Sequence, residues 1–335
     1  MKLLTQYAQI DAVAWDRLIA ESPVASWFQT REAYCFFDSL SFMEAFVVAV
    51  ADGEKLTGLT VGYIQGDGGA LKRKLSSRAI IIGGPLLSDE ITDGQLSAML
   101  NMLSQSIRQR CIYIETRNLN DYSKWRNVFE SSGFDYEPHY NFHQDTTSLE
   151  IINSKLSRTR KRHVRVGLRD GATLSIAVTD DDANAFYDIL SVLYRDKVKK
   201  PLPPLEFFKK MSRLASAKIL LVKSQNRVIG GMAYVALAGR TGYEWYVCGM
   251  DETCKNLYPS ELATYAGLCQ SADEGCPRFD FMGAGKPGVP YGVRDFKALF
   301  GGELVEHGRF LHVNSQLVYR LGKAFVTFQS RFTKR

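Results

Sequence analysis

The sequence predicts an α/β (α+β) chain of two tandem units, each a mixed central sheet flanked by helices. Three observations predict it. A length of 335 residues is enough for two cores of ordinary size. The order helix, hairpin, helix, strand, short helix can be read twice along the chain. Matching elements of the two readings are offset by a nearly constant interval, roughly 165 to 173 residues, as an internal duplication would leave them. The boundary is expected near residue 150, giving units 1–150 and 151–335.

The first reading opens with a helix carrying Trp15, Leu18 and Ile19 on one face. Two apolar runs follow, Phe46 to Val50 and Leu59 to Ile64, with Asp52-Gly53 between them as a hairpin signal. Ile80-Ile81-Ile82 reads as a buried strand that stops at Gly83-Gly84-Pro85. Asp93 can cap a helix whose apolar stripe is Leu96, Met99, Leu100, Leu103 and Ile107. Cys111 to Ile114 reads as a strand, and Trp125, Val128 and Phe129 as a short helix ending at Gly133.

The second reading repeats the order. Asp180, Asp181 and Asp182 suit the N-terminus of a helix carrying Phe186, Ile189, Leu190 and Leu193. Ile219 to Val222 and Val228 to Val235 form a hairpin turning at Gln225-Asn226, and Tyr243 to Val247 add a third strand. Pro259 can open a helix with Leu262, Tyr265, Ala266 and Cys269 on one face, closed by Gly275. The strand Phe279 to Met282 and a short helix around Phe296 and Leu299 complete the unit.

Composition bounds the function. With 45% hydrophobic and 23% charged residues the chain is globular. No run of roughly eighteen apolar residues is present, and Met1 to Gln6 resemble no secretory signal, so a cytoplasmic protein is expected. The six cysteines (35, 111, 248, 254, 269, 276) lack Cys-x-x-Cys spacing and suit reduced, buried thiols. His139 and His143 read as ordinary strand residues rather than metal ligands, and no metal is expected. The net charge of +6 is local: Lys155, Arg158, Arg160, Lys161, Arg162, Arg165 and Arg169 carry no acid among them, and the rest of the chain is near neutral. Arg158, Arg162, Arg165 and Arg169 fall on one helical face of the segment 155–169, where their mutual repulsion favours an anionic partner over a bare solvated face. Leu317, Leu321, Phe325, Phe328 and Phe332 make a second helical stripe flanked by basic residues. It suits docking on the protein or peripheral contact with an anionic membrane at its inner face.

The stretch Phe279-Asp280-Phe281-Met282-Gly283-Ala284-Gly285, followed by Phe296-Lys297-Ala298-Leu299-Phe300-Gly301-Gly302, resembles the signature of the Fem-type (FemABX) peptidoglycan-bridge aminoacyltransferases. Trp27-Phe28-Gln29-Thr30, Tyr194-Arg195 with Pro203 and Phe207-Phe208, and Leu257-Tyr258-Pro259 are similar to further stretches of that family. The resemblance covers essentially the whole chain. It implies two tandem GNAT-like domains, matching the order of elements above. It also implies transfer of an amino acid from aminoacyl-tRNA to an amine of a phosphate-bearing cell-wall precursor, with no cofactor beyond the donor. The long helical arm of some members has no counterpart, since no sustained heptad run occurs.

The resemblance assigns candidate roles. Lys297 matches the family lysine and would stabilise the oxyanion of the tetrahedral intermediate, with Phe296 excluding water. The alternative is a helix lysine paired with Asp295 or Glu303. Asp280 would orient the incoming amine or accept its proton, or else hold the glycine turn after it. The Gly283 to Gly292 loop lets backbone approach a ligand, with Gly283, Gly285, Lys286, Tyr291 and Tyr258 as substrate contacts. Arg195 matches a family arginine on the precursor's diphosphate, with Lys197, Lys199 and Lys200 nearby. At the position corresponding to Phe296-Lys297, the first unit has Phe129-Glu130, so it is expected to wall the cleft.

Two other readings compete. An acyl-CoA-dependent GNAT N-acyltransferase would need a Gln/Arg-x-x-Gly-x-Gly/Ala turn. The nearest form, Asp280-x-x-Gly283-x-Gly285, opens with an acid that repels phosphate. A non-catalytic adaptor for nucleic acid or membrane would use the basic helix but leave the Phe296-Lys297 pair and the glycine loop without a purpose.

Overall fold

The computed structural model describes residues 1–66 and 76–320. The chain divides into two compact units, Met1–Pro138 together with the chain from His307 onward, and His139–Glu306.

In unit 1, β1 (Lys2–Leu4) precedes α1 (Ala12–Glu21), whose N-terminus is closed by the Asp11 carboxylate accepting from the Ala14 N–H at 2.8 Å. Helix α2 (Arg31–Ser39), capped by Thr30, follows. β2 (Glu44–Asp52) and β3 (Lys55–Gln65) form the hairpin expected at Asp52-Gly53, with Gly53 at φ +59°. Next come β4 (Arg78–Gly83), β5 (Leu86–Leu87) and α3 (Asp93–Ile107). β6 (Tyr113–Asn118), α4 (Arg126–Ser131) and β7 (Asp135–Glu137) follow them. The cap of α3 is Thr92 rather than Asp93, because the Thr92 hydroxyl and the Gln95 side chain close a reciprocal capping box. The predicted stripe of α3 is buried throughout and packs with Val48, Ile81, Ile114 and Phe129 in one core.

Gln29 explains the early aromatic-Gln stretch. Strands β3 and β4 pair from Gln65↔Arg78 to Tyr63↔Ile80, and the pairing stops there. Two pairs further on, the buried Gln29 amide stands in for the missing ladder. Its Oε1 accepts from the Val61 N–H at 2.9 Å, and its Nε2 donates to the Ile82 carbonyl at 2.7 Å. The Gln29 carbonyl in turn accepts from Trp15 Nε1 at 2.8 Å.

Unit 2 begins with β8 (Tyr140–Asp145), α5 (Leu149–Lys155) and α6 (Arg158–Arg169). It continues through β9 (Ala172–Ile176), α7 (Asp180–Leu193) and α8 (Leu205–Met211). β10 (Ala217–Ser224), β11 (Arg227–Leu237) and β12 (Thr241–Gly249) follow. α9 (Pro259–Asp273), β13 (Arg278–Gly283), α10 (Gly292–Ala298) and β14 (Glu303–Glu306) end the unit. The sheet order is β14-β8-β13-β12-β11-β10-β9, with β12–β13 its parallel pair. The turn residues Gln225 and Asn226 both take positive φ, +49° and +63°, the geometry a two-residue hairpin needs to match strand twist. The basic segment is two helices rather than one, because Ser157 caps α6 by accepting from the Arg160 N–H.

The chain then returns to unit 1 as β15 (Arg309–Val313), which pairs with β6 and β7 to give the order β1-β2-β3-β4-β6-β15-β7, with β5 on β3. The units therefore divide differently from the expected boundary at 150. β8 hydrogen-bonds to β13 and β14 in the second sheet, and β15 lies in the first. No helix among the described residues is long and apolar enough to cross a membrane. The C-terminal stripe lies outside the described residues from position 321 onward.

Replacing Gln29 by Ala leaves the Val61 N–H and the Ile82 carbonyl buried without partners. The change is expected to destabilise unit 1 by about 3 kcal/mol. Urea unfolding followed by tryptophan fluorescence checks this, since Trp15 and Trp27 flank the site; an unchanged midpoint would show that the amide clamp contributes nothing.

Candidate active site

The second sheet opens between β12 and β13. Their parallel register runs from Thr241↔Arg278 to Tyr243↔Asp280, yet β12 continues to Gly249 and β13 to Gly283. Past Tyr243 the backbone groups on the facing edges lose their ladder partners, and a buried polar group must be satisfied some other way. Lys297, on α10, supplies part of this. Its Nζ donates to the Phe281 carbonyl and, at 3.2 Å, to the Gly283 carbonyl, and lies 3.4 Å from Glu244 Oε1. Lys297 is 6% exposed and Glu244 4%. Thr264, from α9, donates to the other Glu244 oxygen at 3.3 Å.

The alternative of a surface helix lysine paired with Asp295 or Glu303 does not hold: Lys297 is a buried cation paired with an acid 53 residues earlier in the chain. Its three donor positions meet three protein acceptors. Glu244 was not among the expected site residues. The signal for it in the sequence is a lone acid in the apolar run Tyr243 to Val247. Burial pushes its carboxyl up, against the pull of Lys297 and Thr264.

Asp280 is fully buried and in the opposite condition. Burial alone would raise its carboxyl too. His143 first, with Arg278 and the Met282 N–H, outweighs burial and holds it below the ordinary carboxylate range. His143 Nε2 lies 3.2 Å from Oδ2, Asn141 Nδ2 donates to both oxygens at 3.4 Å, and the Met282 N–H donates to Oδ1 at 2.6 Å. That last bond holds a bulge in which Met282 takes φ +58° and the β13–β8 register slips between Asp280 and Gly283. The geometry gives Asp280 the turn-holding place, with His143 as its partner across β8. No group of three metal-ligating side chains occurs among the described residues.

The glycine loop is organised by Arg294, which sequence reasoning missed. Its guanidinium donates to the Ala284, Lys286 and Val289 carbonyls at 2.9, 2.7 and 3.0 Å. Gly285 takes φ +83°, and a Cβ there would meet the Tyr291 ring at 2.9 Å, so Tyr291 closes over the glycine. Gly283 and Lys286 are exposed. Phe296 packs on Phe300, ring centroids 5.3 Å apart, and under the Arg160 guanidinium at 4.6 Å. Lys297, Phe296, Gly283 and Asp280 therefore gather at the end of β13.

Other expected residues lie elsewhere. Arg195 is exposed, its guanidinium fork closed on Asp196 at 2.7 and 3.0 Å. Tyr258, at φ +50° before α9, stacks on His163 with ring centroids 3.8 Å apart. Arg158, Arg162, Arg165 and Arg169 are all exposed along α6, as their spacing requires. Arg160 is instead 5% exposed and pairs with Glu261. It fastens the helix to α9 and, through Phe296 and Phe300, to α10 and the turn after it. The α9 N-terminus is closed from within: Asp251 accepts from the Ser260 N–H at 3.1 Å and from its hydroxyl at 2.6 Å. Beside it lies a cavity of about 640 Å³ floored by Ile189, Val192, Leu193, Val228 and Met250. Cys111, Cys248 and Cys276 are buried, whereas Cys35 is exposed.

Lys297→Met would leave Glu244 buried and unpaired. The expected cost is about 3–5 kcal/mol at pH 7, with much of it recovered in the double variant Lys297→Met/Glu244→Gln. The folded-state Glu244 pKa is raised above its unfolded value, so the single variant's deficit should shrink as pH falls toward the ordinary glutamate range and grow as pH rises. Unfolding midpoints between pH 5 and 8 read this directly; a deficit independent of both pH and residue 244 would dissolve the pair.

The Acetyltransferase (GNAT) domain family model matches residues 154–298. The structure of FemX covers 96% of this chain and 99% of its own, with a TM-score of 0.73 and 14% identity. L-PGS from Bacillus licheniformis covers 95% and 96%, with a TM-score of 0.57 and 11% identity. A tandem GNAT protein from the clavulanic acid biosynthesis pathway covers 94% and 99%, with a TM-score of 0.57 and 10% identity. No curated protein sequence matches the chain. At these identities the likeness is one of fold. The chain has a tandem GNAT fold, and the GNAT family model matches within its second unit.

Proposed function

We propose that unit 2 is an aminoacyltransferase, moving an aminoacyl group from aminoacyl-tRNA to an amine of a phosphate-bearing cell-wall precursor. The observation that carries this reading is the Lys297–Glu244 pair seated where β12 and β13 part. Transfer to an amine asks for a fixed positive charge near the tetrahedral oxyanion and a group that handles the proton shed by the attacking nitrogen. In this reading the amine nitrogen forms the new C–N bond and the ester C–O bond breaks. The proton passes to the departing ribose oxygen by way of Glu244, whose carboxyl burial pushes up. Lys297 contributes its field and holds the Phe281 and Gly283 carbonyls in place. A direct bond from it to the oxyanion would replace one of its three present contacts. Phe296 shields the pair from water.

The choice of donor rests on Asp251. A helix N-terminus is a natural seat for phosphate, and the α9 N-terminus beside the split is already occupied by a carboxylate. A diphosphate-bearing thioester would have to displace it, whereas an aminoacyl ester need not place phosphate there. The exposed arginines of α6 suit the phosphates of the tRNA acceptor end. The second reading is an acyl-CoA-dependent N-acyltransferase, favoured by the family model over residues 154–298.

Titration of the purified chain with aminoacyl-tRNA and, separately, with acetyl-CoA and longer acyl-CoAs distinguishes the two. Saturable aminoacyl-tRNA binding is expected, with CoA affinity weak in the wild type and raised by Asp251→Ala. Tight CoA binding by the wild type would replace the donor while keeping the fold.

A further inference from the structure

At the ends of the two strand orders stand β1, β7, β14 and β9. The first three are blunted. β1 is three residues long and opens on Lys2, β7 is three residues long and carries Asp135 and Glu137, and β14 begins and ends on glutamate. Short length and charge are the usual protection of an open edge against further pairing. β9 has neither a charge nor a proline from Gly171 to Thr179, and its pairing with β10 runs from Ala172 to Ile176 without a bulge.

The Ala177 N–H donates to the Ile219 carbonyl at 2.8 Å. Antiparallel alternation then turns the N–H and C=O groups of Thr173 and Ser175 toward β10, and those of Ala172, Leu174 and Ile176 outward. Among the described residues these outward groups have no partner. The open row ends at Ile176, since the Val178 N–H donates to the Asp182 carboxylate at 3.1 Å. Ala172 and Leu174 pack with Val164 and Leu262, so the row that is open for pairing is also the apolar row, on the face covered by α6 and α9. Beside it Leu168, in the last turn of α6, is 40% exposed, Ile176 42% and Val178 86%. Val178 is the most exposed large apolar side chain among the described residues. An uncharged, unbulged apolar edge of this kind is a template for another strand.

We propose that β9 pairs with β9 of a second copy of this chain, antiparallel about a two-fold axis at Leu174. The edge is complementary to itself. Leu174 meets Leu174 and Ala172 meets Ile176, with about six ladder hydrogen bonds between the copies. Side chains directly opposite lie on one face, so the apolar row meets its own apolar row, and Thr173 meets Ser175 on the other face. Charge agrees. Arg169, whose fork rests on its neighbour Asp170, stands at the entry to β9, and Asp180 and Asp181 stand at its exit. The two-fold axis brings the entry of each copy to the exit of the other. Among the described residues Asp181 has only the Asn184 amide as a side-chain partner, and no cation. An isologous contact of this kind needs one self-complementary patch, which the edge supplies. The pairing does not rest on the proposed transfer, and β10 and β11 separate β9 from the opening between β12 and β13.

The test is sedimentation velocity of the full chain over about 1–300 µM, a range set by an interface at the small end of the size scale. A monomer–dimer equilibrium is expected. Ile176→Pro removes an outward N–H without costing a bond to β10, and should weaken the dimer about tenfold. Ile176→Lys gives β9 the kind of charge the other edges carry and should weaken it about as much. Asp181→Arg should weaken it about threefold, with recovery when Arg169→Glu is added in the same chain. Hydrogen exchange reads the register: the Leu174 and Ile176 amides should gain protection as concentration rises. A chain that stays monomeric throughout overturns the proposal and leaves the edge to an extended segment of another protein. So does a dimer unmoved by both Ile176 variants in chains that melt as the wild type does. A dimer whose Leu174 and Ile176 amides exchange as fast as in the monomer overturns it as well, because its contact lies elsewhere.

Discussion

The second unit depends on one ion pair, formed where its sheet comes apart. Parallel strands normally satisfy one another along their length, and β12 and β13 do so for only three residue pairs. Beyond that point the edges are held by the Lys297 ammonium and the Glu244 carboxylate instead of by a ladder. Burying two charges is costly, and replacing them with apolar side chains would serve stability as well or better. An ion pair kept at the opening of a sheet, with α10 supplying the lysine and α9 the Thr264 hydrogen bond to Glu244, fits the proposed reaction, which needs a cation and a proton-handling group together.

Around this pair the chain separates two buried acids. Glu244 is pushed up by burial, and Asp280 is held down by His143, Arg278 and a backbone N–H. Environments that drive neighbouring carboxyls in opposite directions divide labour between them. Here Asp280 fixes the Met282 bulge that ends β13, which presents the Phe281 and Gly283 carbonyls to Lys297. Unit 1 uses a neutral version of the same device. Where β3 and β4 lose their ladder, the Gln29 amide bridges Val61 and Ile82. An amide satisfies both strands without bringing a charge, in keeping with a unit that has Phe129-Glu130 where the other has Phe296-Lys297.

Much of the scaffold was legible because it follows from local pattern. Alternating apolar runs with Asp52-Gly53 or Gln225-Asn226 between them give hairpins, and the stripe from Leu96 to Ile107 gives α3. Phe296-Lys297 was legible through its family resemblance. What was not legible is long-range pairing. The short strands β8 and β15 say nothing in sequence about which sheet edge they join, so the unit boundary was misplaced. Glu244 and Lys297 meet across 53 residues, and only the isolation of an acid in an apolar strand marks Glu244. Arg160 shows a signal that was present: helical spacing sets it away from the stripe of Arg158, Arg162, Arg165 and Arg169, on the face that meets Glu261.

The proposed acyl transfer takes place at the opening between β12 and β13. The most direct measurement is photo-crosslinking with tRNA charged with a photoreactive amino acid, followed by peptide mapping. Crosslinks are expected in the second half of β12, from Glu244 to Gly249, and in the stretch from Phe281 to Lys297. Crosslinks confined to unit 1, or absent from both stretches despite saturable tRNA binding, would contradict it.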